Sequence, residues 1–222
     1  MVAKVNIFNF ALQDLGAASI SVPDENTTEA RECNLRYDSI RRMILNLHPW
    51  NFATKRAQLA QLSEAPVFEF DKQYQLPTDF IRMVATEKQI EFLPTGNPDF
   101  NGYLIISNRS AFQSADYYKI ETNASDGTRV LLSDDDTKKI LYIFDQEDTN
   151  AFSPLFVELL ARGLAGAIAY RITNSRSVEE QKKAEFVNFL LATAKNVDGQ
   201  EDITTRIEMS GYLSSRYTGT SI

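Results

Sequence analysis

Residues 26–49 read NTTEARECNLRYDSIRRMILNLHP. Cys33, Tyr37, Ile40, Ile44 and Leu47 recur there at spacings of four, three, four and three. That period lines apolar side chains along one side of an α-helix. Asn26 stands where a cap is needed, and Glu29, three residues on, is placed to reach back to it. Arg31, Arg36, Arg41 and Arg42 fall on the other faces. His48-Pro49 ends the helix, because the residue before a proline is pushed out of the helical region.

Outward from this helix the texture changes twice. Upstream, Val5, Phe8, Leu12 and Leu15 predict a first short helix, with Gly16 as its stop. Downstream, residues 51–62 predict a third short helix. From Pro66 onward the pattern becomes strand-like. Val67–Phe70 and Lys72–Leu76 alternate, while Tyr103–Ile106 and Lys139–Phe144 are continuous apolar runs. Turn signals at 94–98, Asn101-Gly102 and Asp126-Gly127 separate them. Helix returns at Ser153-Pro154, a cap followed by proline in the first helical position, and runs to about Thr173. Gly163, Gly166, Ala167 and Ala169 inside it imply close helix–helix approach. A last helix is expected from near Ser177, with Glu180 completing a capping box and Ala184, Val187, Leu191 and Ala194 as its stripe. Residues 198–222 are rich in Ser, Thr, Gly and charge, with isolated apolar residues Ile203, Ile207, Tyr212, Leu213 and Tyr217. Such a composition cannot fold alone and reads as an arm that orders on a partner.

The expected fold class is therefore α+β: a helical bundle formed by N- and C-terminal helices, with an inserted antiparallel β domain and a C-terminal extended arm. The segments are 1–65 for the first helices, 66–150 for the β domain, 151–197 for the returning helices and 198–222 for the arm.

Composition narrows the function classes. The 222 residues are 43% hydrophobic and 24% charged, ordinary globular values. One Cys permits no internal disulfide, and no run is long and apolar enough for a signal peptide or a membrane span. Folding in a host cytoplasm is the expectation. Net charge is −7. Segments 1–65 and 151–222 are each neutral, so the whole excess falls in 66–150, with eight basic and fifteen acidic residues. A duplex-gripping surface needs the opposite sign.

The motifs of chemistry are thin. His48 is the only histidine and sits at a helix end, where it suits the carbonyls and the dipole. Cys33 lies on an apolar stripe. Asp134-Asp135-Asp136 lacks the alternating ligands and glycine turn of a calcium loop and reads as a solvated turn. Arg41-Arg42 with Lys55-Arg56 reads as helix-surface charge paired with acids in preference to a phosphate patch. No phosphate-binding glycine loop is present. No catalytic, metal or cofactor-binding residue is assigned, and no cofactor is expected.

Three stretches together carry a resemblance: PWNFATKRAQL at 49–59, YQLPTDFIR at 74–82, and ELLARGLA at 158–165 running on to AYRIT at 169–173. In this order and spacing the chain resembles the tail tubular protein A, or head-to-tail adaptor, family of short-tailed phages, over nearly everything up to Val197. The resemblance implies a non-enzymatic virion protein at the head–tail junction. Its subunits would form a ring, a dodecamer in better-known members, bound under the portal protein ring, with the tail nozzle protein on the other face. Genomic DNA would pass through the channel without sequence-specific binding, kept mobile by the acidic middle segment where that lines the lumen. Trp50 and Phe52 would anchor the chain as it leaves the bundle. Tyr74, Leu76, Pro77 and Phe80 would fix the passage into the β domain, and Arg82 would pair with an acid nearby or in the next subunit. The competing readings are a carbohydrate-active phage enzyme working through two carboxylates, and another portal-proximal assembly module.

Overall fold

The structure is a computed structural model, and it describes residues 2–88 and 117–190. Among these residues there are four α-helices: α1 (Lys4–Asp14), α2 (Thr28–Leu47), α3 (Pro154–Thr173) and α4 (Arg176–Glu185). Between α2 and α3 lie strands β1 (Thr54–Gln58), β2 (Ala60–Gln61), β3 (Lys72–Gln75), β4 (Phe80–Thr86), β5 (Lys119–Thr122), β6 (Arg129–Ser133) and β7 (Lys139–Phe144). They form two antiparallel sheets, one ordered β1-β7-β4 and the other β2-β3-β6-β5. The fold class is α+β, as the sequence predicts.

Helix α3 is the centre of the helical layer. Ser153 Oγ accepts the Phe156 N–H at 3.2 Å, Pro154 opens the helix, and Asn174 closes it in the left-handed region at φ 54°. It is apolar nearly all round, and it packs against α1, α2 and α4. The main core joins Phe8 and Leu12 of α1, Cys33 and Ile44 of α2, and Leu160 and Leu164 of α3. Val84 and Ile143 of the three-stranded sheet enter the same core. A second core, with Tyr74, Leu76, Leu131, Ile140 and Tyr142, lies between the two sheets. Strand β7 thus sends Leu141 and Ile143 to the helices and Ile140 and Tyr142 to the other sheet. Burial on both faces explains why Ile140–Phe144 is an unbroken apolar run.

Several details differ from the sequence reading. The cap of α2 is Thr27, whose Oγ1 accepts the Ala30 N–H at 3.2 Å, not Asn26. Its stripe ends on Arg41, Ile44 and Leu45, leaving Leu47 exposed. A strict four-three alternation averages 3.5 residues, and the true period of about 3.6 drifts off it along the helix. The segment 51–62 is not helical: a single 3-10 turn, Asn51–Ala53, leads into β1 and β2. Pairing of Thr54–Gln58 with Lys139–Ile143 overrides its local helix preference. Val67–Phe70 is a loop between β2 and β3. The cap of α4 is Ser175, whose hydroxyl accepts the Val178 N–H. Ala184 and Val187 face solvent, and Phe186, in a π-helical turn (Phe186–Leu190), is the buried residue instead. Tyr103–Ile106, the turns at 94–98 and 101–102, Leu191, Ala194 and the whole arm with Ile203, Ile207, Tyr212, Leu213 and Tyr217 lie outside the described residues.

Gly163 behaves as expected of a close crossing, and Gly166 does not. A Cβ on Gly163 would stand 3.0 Å from Phe186 and 3.1 Å from Ile40, whereas one on Gly166 would meet Lys183 at an ordinary 3.5 Å. Gly166→Ala is therefore expected to stabilise by up to about 1 kcal/mol through helix propensity. Gly163→Leu is expected to cost roughly 1–3 kcal/mol by overpacking. Urea denaturation of the two variants checks both signs.

Candidate functional site at the helix–sheet joint

Trp50 and Phe52 sit where the helices hand the chain to the sheets, whereas Tyr74, Leu76 and Phe80 belong to the core between the two sheets. Trp50 is wholly buried at the end of α2, and its indole N–H donates to the Ile44 carbonyl at 3.0 Å. Its ring meets Phe156 of α3 edge-on at 5.1 Å and His48 at 4.9 Å. Phe52 packs edge-on against Phe156 at 4.9 Å and tilted on Phe152 at 5.7 Å. These two aromatics bolt the 3-10 turn to the first turn of α3. His48 is buried in the same aromatic group.

The second stretch crosses from one sheet to the other. Tyr74 on β3 is buried, and its hydroxyl donates to the Asp135 carbonyl. Leu76 joins it in the inter-sheet core. Pro77 turns the chain, its carbonyl accepting the Phe80 N–H at 3.1 Å. Phe80 then stacks on Tyr142, with centroids 5.7 Å apart, and the Arg129 guanidinium lies 5.2 Å from the Phe80 ring. Asp79, at the head of β4, accepts from Lys55 at 2.8 Å and from Tyr142 at 3.0 Å, while its carbonyl accepts the Asp145 N–H at 2.8 Å. Burial alone would raise the Asp79 carboxyl. The Lys55 and Tyr142 hydrogen bonds outweigh it and hold the group below its ordinary value. Burial, with Asp79 beside it, pushes the Tyr142 phenol up to about 12.

Two residues depart from expectation. Arg82 has no acidic partner among the described residues. Its Nε is buried without a hydrogen bond, and burial lowers its pKa. Arg41, assigned to an outer face of α2, is instead fully buried. It lies 2.7 Å from Asp145 Oδ1, as an ion pair and not an aligned hydrogen bond, and it donates to the Gln146 carbonyl at 2.5 Å. Arg42 grips the other Asp145 oxygen at 2.7 Å. Arg41, Arg42 and Lys55 are therefore paired with acids, but only Arg42 is helix-surface charge: Arg41 is buried and Lys55 stands on β1. The signal for Arg41 lay in its position four residues after Tyr37 on the buried row. Asp145, at the end of the β7 run, carried no such signal.

Elsewhere, the acidic run is an ion-pair knot at the β6–β7 turn. Asp135 binds Lys138 at 2.9 Å and also Lys88, and Asp136 binds Lys72 at 2.5 Å. No group of three metal-ligating residues occurs among the described residues, and no described helix is long and apolar enough to cross a membrane. Burial pushes the Cys33 thiol up to about 12, helped by Glu29 and Glu32, so it is held protonated within the core. A scan of the chain against models of known protein families matches none, and a search of curated proteins returns no match.

Arg41→Ala is expected to cost about 3–5 kcal/mol, because it strips the buried partner from Asp145. The exposed Arg42→Ala is expected to cost at most about 1 kcal/mol, so denaturant midpoints separate the two roles. A pH dependence follows from Asp135. Burial raises its carboxyl, but Lys88 and Lys138 prevail and hold it at about 2 against an ordinary 3.8. Its contribution, about 2 kcal/mol, is full above roughly pH 4 and is lost as pH falls toward the folded value. Asp135→Asn is expected to flatten the acid limb of the stability curve in that window.

Proposed function

We propose that this chain is a structural virion subunit, the head-to-tail adaptor of a short-tailed phage, forming a ring between portal and tail nozzle through which the genome passes. The observation that carries the reading is the order and spacing of Pro49–Leu59, Tyr74–Arg82 and Glu158–Thr173 along one chain. Their placement supports it: the first two stretches are joints and the third is the central helix. A subunit that transmits load between rings needs joints of this kind. In this reading the helices α1 to α4 are the bundle that packs side by side. The sheets are an insertion, beginning near Thr54, that projects toward the next component, and the arm 198–222 orders on a neighbouring ring.

Assembly is sequential. Subunit contacts are weak alone, and the portal raises their effective concentration by arranging them. DNA slides through where the acidic segment 66–150, with eight basic and fifteen acidic residues, lines the channel and repels phosphates. Light scattering is the test. The chain alone is expected to have the mass of a monomer or a weak oligomer, and mixed with the portal of the same phage it is expected to form a defined ring. Absence of any association with that portal would overturn the reading.

A further inference from the structure

Two exposed apolar features face solvent on different layers of the molecule. The first is the loop 62–71. Val67 and Phe68 at its tip are 96% and 78% exposed. The tip is not slack. Phe70 is buried and stacks on Tyr117 at 5.0 Å, and Gln73 ties the loop base by donating to the Glu64 carbonyl at 2.7 Å. Glu69 sits at φ 76°, a conformation unfavourable for a side-chain-bearing residue, and is clamped there by Tyr117 and Lys119 at 2.7 and 2.6 Å. The loop carries Glu64, Glu69 and Asp71 and no base; Glu69 is ion-paired with Lys119, so Glu64, which accepts from the Ser125 hydroxyl, and Asp71 are its acidic flanks.

The second feature is the outer row of α2. Leu35, Ser39, Met43 and Leu47 follow one another at steps of four, which aligns them on one helix face. Leu35 is 70% exposed, and Met43 and Leu47 are about 40% exposed. Arg31 and Arg36 flank the row, exposed and with no acid paired to either among the described residues. Two acids of the same helix are already engaged, Glu32 by Arg171 and Asp38 by Arg41.

The two features are complementary: an apolar tip with acidic flanks, and an apolar ridge with basic flanks. They cannot meet within one chain. Helix α2 lies against the three-stranded sheet, through the core that holds Val84 and Ile143, and the loop springs from the four-stranded sheet on the far side of it. We propose that Val67 and Phe68 of one copy dock on the Leu35–Met43–Leu47 ridge of the next. Such a contact uses different patches on its two sides, so it propagates head to tail and closes where the rotation permits. The inference rests on the ring reading above and adds to the side-by-side packing of the bundles one contact between a subunit's sheet loop and its neighbour's α2.

The test uses the full chain with Leu35→Cys, Phe68→Cys or both, under mild oxidation, with the parent chain as the background for Cys33. Mixing the two single variants is expected to give a crossed disulfide dimer at least tenfold above either variant alone. The double variant is expected to give a ladder of covalent oligomers. Disulfide homodimers of the Phe68→Cys or the Leu35→Cys variant in excess of the crossed product would overturn the proposal, and so would no adduct above the parent. Light scattering with the portal separates the two failures. A ring without crossed adducts removes this interface and leaves the adaptor reading standing, whereas no ring removes both.

Discussion

Strand β7 is buried on both faces, and the arrangement of the molecule depends on that. A half-exposed strand could serve only one core. Here Ile143 is fixed among helices and Tyr142 between sheets, one residue apart, so the two cores share a backbone. Tyr142 is also the floor on which Phe80 stacks, and its hydroxyl holds Asp79. The end of the same strand delivers Asp145 to Arg41 of α2. Packing, stacking and the buried charge pair thus converge on six residues. A change in one layer is transmitted to the other through a rigid ladder rather than through a linker.

What was legible in the sequence follows the strength of local signals. Helix α3 carried a cap, a proline and a continuous apolar pattern, and it runs from Pro154 to Thr173 as read. β7 was an unbroken apolar run, and it spans Lys139–Phe144. Residues 54–58 carried no such signal. Their alternation is weak, and they are strand only because β7 offers them an edge. Arg41 was misplaced for a different reason. Its place four residues after Tyr37 sets it on the buried row, but a charge there reads as outward-facing while its partner is unknown, and Asp145 lies 104 positions away. The motif aromatics Trp50, Phe52, Tyr74 and Phe80 were recoverable because large side chains at chain reversals have few places to go but a core.

The excess negative charge of 66–150 needs the same correction from segment to space. Arg41, Arg42 and Lys55 lie outside that segment in sequence, yet they sit on its acids Asp79 and Asp145. The helix–sheet joint is therefore close to neutral. Among the described residues, Glu64 and Asp71 of the 62–71 loop still bear on the outer field, as does Asp136, which is almost wholly exposed although paired with Lys72.

A contact between unlike patches explains why such a subunit can be stable alone and still be committed to assembly. An isologous surface would satisfy itself in a dimer and stop. On the proposed interface, a strained loop presenting two apolar side chains and a ridge whose arginines pair with no acid among the described residues leave each monomer with one donor and one acceptor of contact. On that reading each single contact is small, and free subunits are expected to associate weakly. A closed ring gains one contact more than the open chain of the same length without ordering another subunit, and it is stabilised as a whole once a template holds the subunits at the closing angle.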